Sequence, residues 1–168
     1  MSVETVYAQG SEAALLMSSV DRALTGDDED VPLTDRAAFR SALDESSPAA
    51  MIESFVGALT LVADRAGGLL IAFEDAAGSD AAIAELWAAA EQRLRVDYRR
   101  LVVAVTAAGP LPAGWDVETA TDAMWATFPP RLAHTLVRSL AWPRERTVAW
   151  VSTTVTALLL PTDDRKHE

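Results

Sequence analysis

Between Pro48 and Leu159 the apolar residues of this chain recur at steps of three and four, and no segment alternates apolar with polar residues. Steps of three and four place side chains on one face of an α-helix, whereas strands need a step of two. The clearest case follows "SSPAA". Ser47 stands at a cap position and Pro48 at the first helical position, and Ile52, Phe55, Val56, Leu59, Val62 and Ala66 then share a stripe. Half of the 168 residues are hydrophobic, with alanine and leucine dominant, so helix is also favoured by intrinsic propensity and a sizeable core can form. The fold class expected is all-α.

The other helices are set out by their punctuation. Ser2 to Ala8 reads as a short helix, and Ser11 caps a second through Leu15, Leu16, Val20 and Leu24, stopped by Gly26. The acidic connector "GDDEDVPL" leads to a brief helix over Arg36 to Leu43. Gly67-Gly68 is expected to weaken or bend the helix that starts at Pro48. Ser79 is expected to cap the longest helix, with Ile83, Leu86, Trp87, Ala90, Leu94, Tyr98, Leu101, Val102 and Val105 on one face. Arg93, Arg95, Arg99 and Arg100 fall mostly on the other. Asp116 caps the next, Pro129-Pro130 interrupts it, and Leu132, Leu136 and Val137 carry it on. The last helix starts at Pro143 and ends before Pro161.

Composition excludes several kinds of chemistry. Cysteine is absent and the two histidines, His134 and His167, stand far apart, so no zinc cage and no disulfide scaffold are expected, and no cofactor. The acidic run Asp27 to Asp30 lacks the glycine and distal glutamate of a calcium loop and reads as a solvated connector. Glu74-Asp75 and Asp163-Asp164 are adjacent pairs, which cannot face one another across a substrate. There is no phosphate loop and no nucleophile motif, so an enzyme is not expected. Glu4 and Glu12 take the place of a basic leader, and the uncharged stretch Thr147 to Thr162 is too short to span a bilayer. A cytoplasmic protein without membrane contact is the expectation. Net charge is −11, and the first thirty residues carry seven carboxylates (Glu4, Glu12, Asp21, Asp27, Asp28, Glu29, Asp30) against Arg22 alone, a net of −6. Binding to nucleic acid normally draws on lysines and arginines that displace counterions.

The opening residues nonetheless carry an ordered series: Ser2, Thr5, Tyr7, the turn Gly10-Ser11, and Leu15-Leu16. Near the other end come "LAHTLVRSLAWPRERTVAWVSTTVTALLLP", with Trp142, Pro143, Arg146 and Trp150, and between them the connector "GDDEDVPLTDR". Together these resemble the TetR family of one-component transcriptional regulators over nearly the whole chain. The resemblance implies a helix-turn-helix remnant over residues 1–26, in which Ser2, Thr5 and Tyr7 belong to the recognition helix. Residues 27–168 would form an effector-binding and dimerisation domain. The chain departs from the family pattern in three ways. Met1 stands where the turn into the recognition helix belongs, the spacing from Tyr7 to Leu15 is one residue short, and Glu12 replaces a phosphate-contacting lysine.

The reading implied is a TetR-like regulator that dimerises and binds a mostly apolar small-molecule effector, with DNA contact only if the missing N-terminal helices are present. The alternatives are a complete repressor whose start lies further upstream and, third, a small helical enzyme. Effector-site candidates are Phe55, Leu59, Phe73, Trp87, Leu94, Tyr98, Met124 and Phe128, with Tyr98 as the polar handle. Candidates for the contact between copies are Trp125, Leu136, Trp142, Trp150, Val151, Val155 and Leu158, because the last helix is apolar on more than one face. His134 is either an effector or pH contact or a satisfied core or interface residue.

Overall fold

The computed structural model of the chain describes residues 33–161. The two N-terminal helices, the domain over 1–26 and the remnant residues Ser2, Thr5 and Tyr7 lie outside the described residues. Within them the fold is all-α, without strands. A 3-10 turn, Leu33–Asp35, leads into α1, Ala37–Leu43; then come α2, Pro48–Ala77, α3, Ala81–Ala108, and α4, Val117–Thr127. Helix α5, Pro130–His134, runs directly into a π turn, Thr135–Ser139, and α6, Arg144–Leu159, closes the bundle.

Helix α2 is the spine. Its 30 residues extend about 45 Å, and α1, α3, α5 and α6 all pack along it. It starts where Ser47 accepts a hydrogen bond from the Ala50 backbone N–H, with Pro48 at the first helical position. By length and composition α2 could also cross a membrane. The packing accounts for its apolarity: Met51, Ile52, Phe55, Val56, Leu59 and Ala63 are all buried in the bundle core.

One boundary differs from the sequence expectation. Asp80, rather than Ser79, caps α3: its carboxylate accepts from the Ala82 and Ile83 backbone N–H groups at 2.8 and 3.1 Å. The Ser79 hydroxyl instead turns back to donate to the Ala76 carbonyl at the end of α2. The longest helix is accordingly α2, of 30 residues, against 28 in α3.

Gly67-Gly68, expected to weaken or bend the helix, lies within the continuous span of α2. Helix α5 crosses α2 here so closely that a Cβ at Gly67 would lie 2.7 Å from His134 Nδ1 and 3.0 Å from His134 Cβ. The glycine admits a neighbouring helix, and the burial gained against α5 offsets its poor propensity. His134 therefore packs in the interior, but Nδ1 is buried with no hydrogen-bond partner among the described residues.

Beyond His134 the chain opens into the π turn, where the Leu140 backbone N–H donates to the Thr135 carbonyl. The Trp142 N–H reaches back to Leu136, across Ala141 in the left-handed region at φ 52°. This turn carries Leu140 outward, 56% exposed. Proline then sets the direction of α6, as Pro129-Pro130 set that of α5.

Replacing Gly67 by alanine should lower stability by about 1–3 kcal/mol, since the His134 ring must move. Gly57, in the same helix with nothing within 4 Å of its would-be Cβ, serves as the control. Its alanine variant should gain about 0.5–1 kcal/mol from helix propensity. Thermal or denaturant melts of both variants test the pair; equal effects would show that α5 does not depend on the glycine.

Candidate ligand-binding site

The interior is divided. A large cluster joins α1, α2, α3, α4 and α6 around Phe39, Phe55, Tyr98, Met124, Phe128 and Val155. A smaller one occupies the far ends of α2 and α3. Only Phe73 and Ile83 are fully buried there, while Leu69, Leu70, Leu86, Trp87 and Ala90 are half-covered.

The eight effector-site candidates fall on both sides of this division. Phe55, Leu59, Tyr98, Met124 and Phe128 belong to the large cluster and are all buried. Phe55 meets Phe39 and Tyr98 edge-on at 5.2 and 6.2 Å, and Tyr98 meets Trp125 at 5.8 Å. Such interlocked rings are packing groups. Tyr98 is not the polar handle the sequence suggested. Its side chain is 1% exposed and its hydroxyl donates to the Phe128 carbonyl at 2.5 Å. Burial, with the charge of Asp97 beside it, raises the phenol above its ordinary range, so it stays neutral and tied to that carbonyl. Leu94 lies half-buried at the margin. Phe73 and Trp87 sit in the smaller cluster, edge to face with ring centroids 5.4 Å apart.

Between the clusters lies a waist, marked on α2 by Ala66 and Gly67, on α3 by Glu91 and on α5 by His134. Helices α3 and α5 each pack along α2. Glu74 lies near the distal end of α2. Arg131 of α5 pairs with Glu74 at 2.8 Å and with Asp75 at 3.2 Å, while the Glu74 charge also acts on Glu91 of α3. Burial holds the Glu91 carboxyl above the ordinary glutamate range. Glu74 raises it further, and a hydrogen bond with Trp87 offsets part of the shift. Unlike Glu74, Glu91 has no cationic partner among the described residues.

Glu91 was missed in the sequence, although a signal existed. It is the carboxylate set into the apolar stripe of α3, four residues after Trp87 and three before Leu94. Three arginines of the opposite face have partners that the sequence alone did not reveal. Arg95 reaches Asp122 at 2.7 Å and Arg99 reaches Glu118 at 2.7 Å, both on α4. Arg100 donates to the Thr34 hydroxyl and to Asp35. They stitch neighbouring elements together.

The candidates for a contact between copies also divide. Leu136, Val151 and Val155 are 5%, 0% and 0% exposed, which places them in the chain's own core with no surface left for a partner. Their periodicity was read correctly as apolar, but the stripe it defines packs against α2. Trp125, Trp142 and Leu158 are half-buried and Trp150 is 44% exposed. Trp142 and Trp150 meet edge-on at 6.0 Å, and the Arg146 guanidinium lies 3.9 Å above the Trp142 ring. Beyond Arg146 the outer face of α6 (Ala149, Trp150, Thr153, Ala157) carries no charge.

No group of histidine, cysteine, aspartate and glutamate side chains among the described residues could hold a metal ion. No protein-family model, curated protein or solved structure matches the chain.

One further polar site is internal. Asp97 on α3, 3% exposed, accepts a 2.7 Å hydrogen bond from the Thr34 hydroxyl, holding the 3-10 turn against α3. Burial raises the Asp97 carboxyl above its ordinary value of 3.8 despite Thr34 and Arg100. A carboxyl whose folded-state value is raised binds its proton more tightly in the folded state. Its contribution is therefore fully present below the unfolded value and is lost as pH rises through the folded one. Relative to an Asp97→Asn variant, the native chain should lose stability as pH climbs from about 4. Denaturant melts of both chains across that window provide the measurement, and parallel curves would contradict it.

Proposed function

We propose that the chain is the effector-binding and dimerisation part of a TetR-like transcriptional regulator, acting by binding and without covalent chemistry. One observation carries this reading: the Phe73–Trp87 cluster at the far ends of α2 and α3 is left half-covered among the described residues. Helix pairs normally close such a cluster with a third helix. An apolar ligand lying on Leu70 and Trp87 would remove the same surface from water, at about 25 cal/mol per Å².

The position of this cluster suits a sensor. It lies on α2, the helix on which α5 docks through the close Gly67–His134 approach, so a ligand that shifts α2 there would be felt at the π turn and α6. A second copy is proposed on the face where Trp142 and Trp150 join the uncharged side of α6. Solvated helix faces usually carry charges, whereas a face facing a partner need not. Glu12 and the net charge of −6 over residues 1–30 oppose specific contact of this segment with duplex DNA.

Two measurements test the proposal. Sedimentation at micromolar concentration should give a dimer mass, with a buried area on the order of 1,200–2,000 Å². Trp150→Glu should give a folded monomer, because the exposed side chain is not needed by the core. An apolar ligand at a hundredfold excess over its dissociation constant should stabilise the fold by about 2.7 kcal/mol, and Trp87→Ala should remove that gain. A monomeric native chain would sink the dimer, and ligand stabilisation indifferent to Trp87 would sink the site on the Phe73–Trp87 cluster.

A further inference from the structure

We propose that the outer face of α3 is the docking surface for the chain's own N-terminal segment, residues 11–30. The acidic run of that segment pairs with the arginines of the face, and its leucines cover two exposed valines. This surface is separate from the Phe73–Trp87 cluster and does not depend on the effector-binding reading.

The exposed positions of α3 between Ala88 and Ala108 hold arginine, valine, alanine, glutamine and threonine, but no carboxylate. In a chain of net charge −11 that is a local excess of positive charge. Arg99 and Arg100 each reach a neighbouring element, yet their side chains stay 53% and 41% exposed. Arg93, also exposed, pairs with no described residue. On the same face Val96 and Val103, two turns apart, are 42% and 45% exposed, and only two other large hydrophobic side chains among the described residues are as open. A face that joins an unpaired arginine to bare valines is suited to an acidic, amphipathic partner.

The chain itself brings such a partner to this place. Leu33–Asp35 is fastened midway along α3, by the Thr34–Asp97 hydrogen bond at 2.7 Å and by Arg100 with Asp35 at 3.3 Å. Asp27, Asp28, Glu29 and Asp30 stand four to seven residues before Thr34, a reach of about 13–25 Å. Arg93, one turn before Asp97, lies only about 6 Å further along the helix axis. Ahead of the acidic run, Leu15, Leu16, Val20 and Leu24 supply apolar residues at helical steps. A segment tethered this closely acts at an effective concentration on the order of mM, which an untethered acidic protein would have to outcompete. A nucleic acid would in addition meet the repulsion of the whole chain.

Because the chain has no cysteine, a single spin label can be placed on it without ambiguity. Gln92→Cys puts the label at an exposed site beside Arg93 and one turn from Val96, and Ser139→Cys puts it at an exposed site on the π turn. In amide spectra of the full, isotopically labelled chain, the Gln92 site should broaden residues 11–30 and the Ser139 site should not. No broadening from Gln92, or equal broadening from both sites, would overturn the docking. Mixing the spin-labelled chain, isotopically silent, with isotopically labelled native chain reads contacts between copies alone. Broadening of residues 11–30 in that mixture as strong as within one chain would overturn it too, by assigning the face to a second copy. Raising salt from about 0.01 to about 1 M shortens the screening length from about 30 to about 3 Å, and most of the broadening at Asp27 to Asp30 should be lost. Arg93→Glu should have the same effect without changing the thermal melt, since the side chain is exposed. Broadening indifferent to salt would overturn the arginine pairing, and that comparison needs no second variant.

Discussion

Everything in this bundle depends on the burial of one helix. Helix α2 contributes to both apolar clusters, and α1, α3, α5 and α6 each gain their main contact by lying along it. A helix apolar around most of its circumference cannot be left in water, and it has too many faces for one partner to cover. Its neighbours are arranged by which part of that surface each can take. The long antiparallel helix α3 covers the full length, while the shorter α5 and α6 divide another side between them. The cover runs out toward the α2–α3 turn, which is why the second cluster stays partly open.

Polar groups within this interior are handled locally. Buried hydroxyls donate to carbonyls one turn back, as Thr60 does to Val56 and Ser152 to Val148, so they need no partner across the bundle. The bonds that do cross between elements are few and placed where direction matters. Tyr98 ties α3 to the end of α4 through Phe128, and Asp97 ties α3 to the turn before α1 through Thr34. Both lie in the tightly packed half of the bundle. The distal half has surface ion pairs in their place, such as Arg131 with Glu74, and an exposed pair of this kind adds little stability. The contrast between a closed, cross-tied half and a loosely covered one is the physical basis of the proposal that a ligand lies on the second.

The two sets of aromatic residues illustrate the same division. Phe39, Phe55, Tyr98 and Trp125 form a continuous series of edge contacts that leaves little freedom for a guest. Phe73 and Trp87 make one such contact in a cluster that is otherwise half-covered among the described residues. Trp142 and Trp150 form a third pair on the outside, capped by Arg146.

How much of this was legible in the sequence depends on the range of the interaction concerned. Ser47-Pro48, Asp116, Pro129-Pro130 and Pro161 each act through their own backbone or that of residues within one turn, so they set helix ends before any packing exists. The all-α class and most helix boundaries follow from such local signals and from the three-four periodicity. Ser79 against Asp80 is a local choice between two good capping side chains, and adjacent positions are where such signals are least discriminating. The roles of Gly67, Tyr98, Val151 and Val155 were not legible, because each depends on a residue far along the chain. Gly67 is decided by His134, Tyr98 by Phe128, and the two valines by the helix they meet. Periodicity shows that a face is apolar, but not whether α2, a ligand or a second copy will cover it. The sequence by itself determined which segments are helices and which faces seek burial. Only the tertiary structure decided what those faces meet, because that choice is made by contacts between residues the chain brings together from a distance.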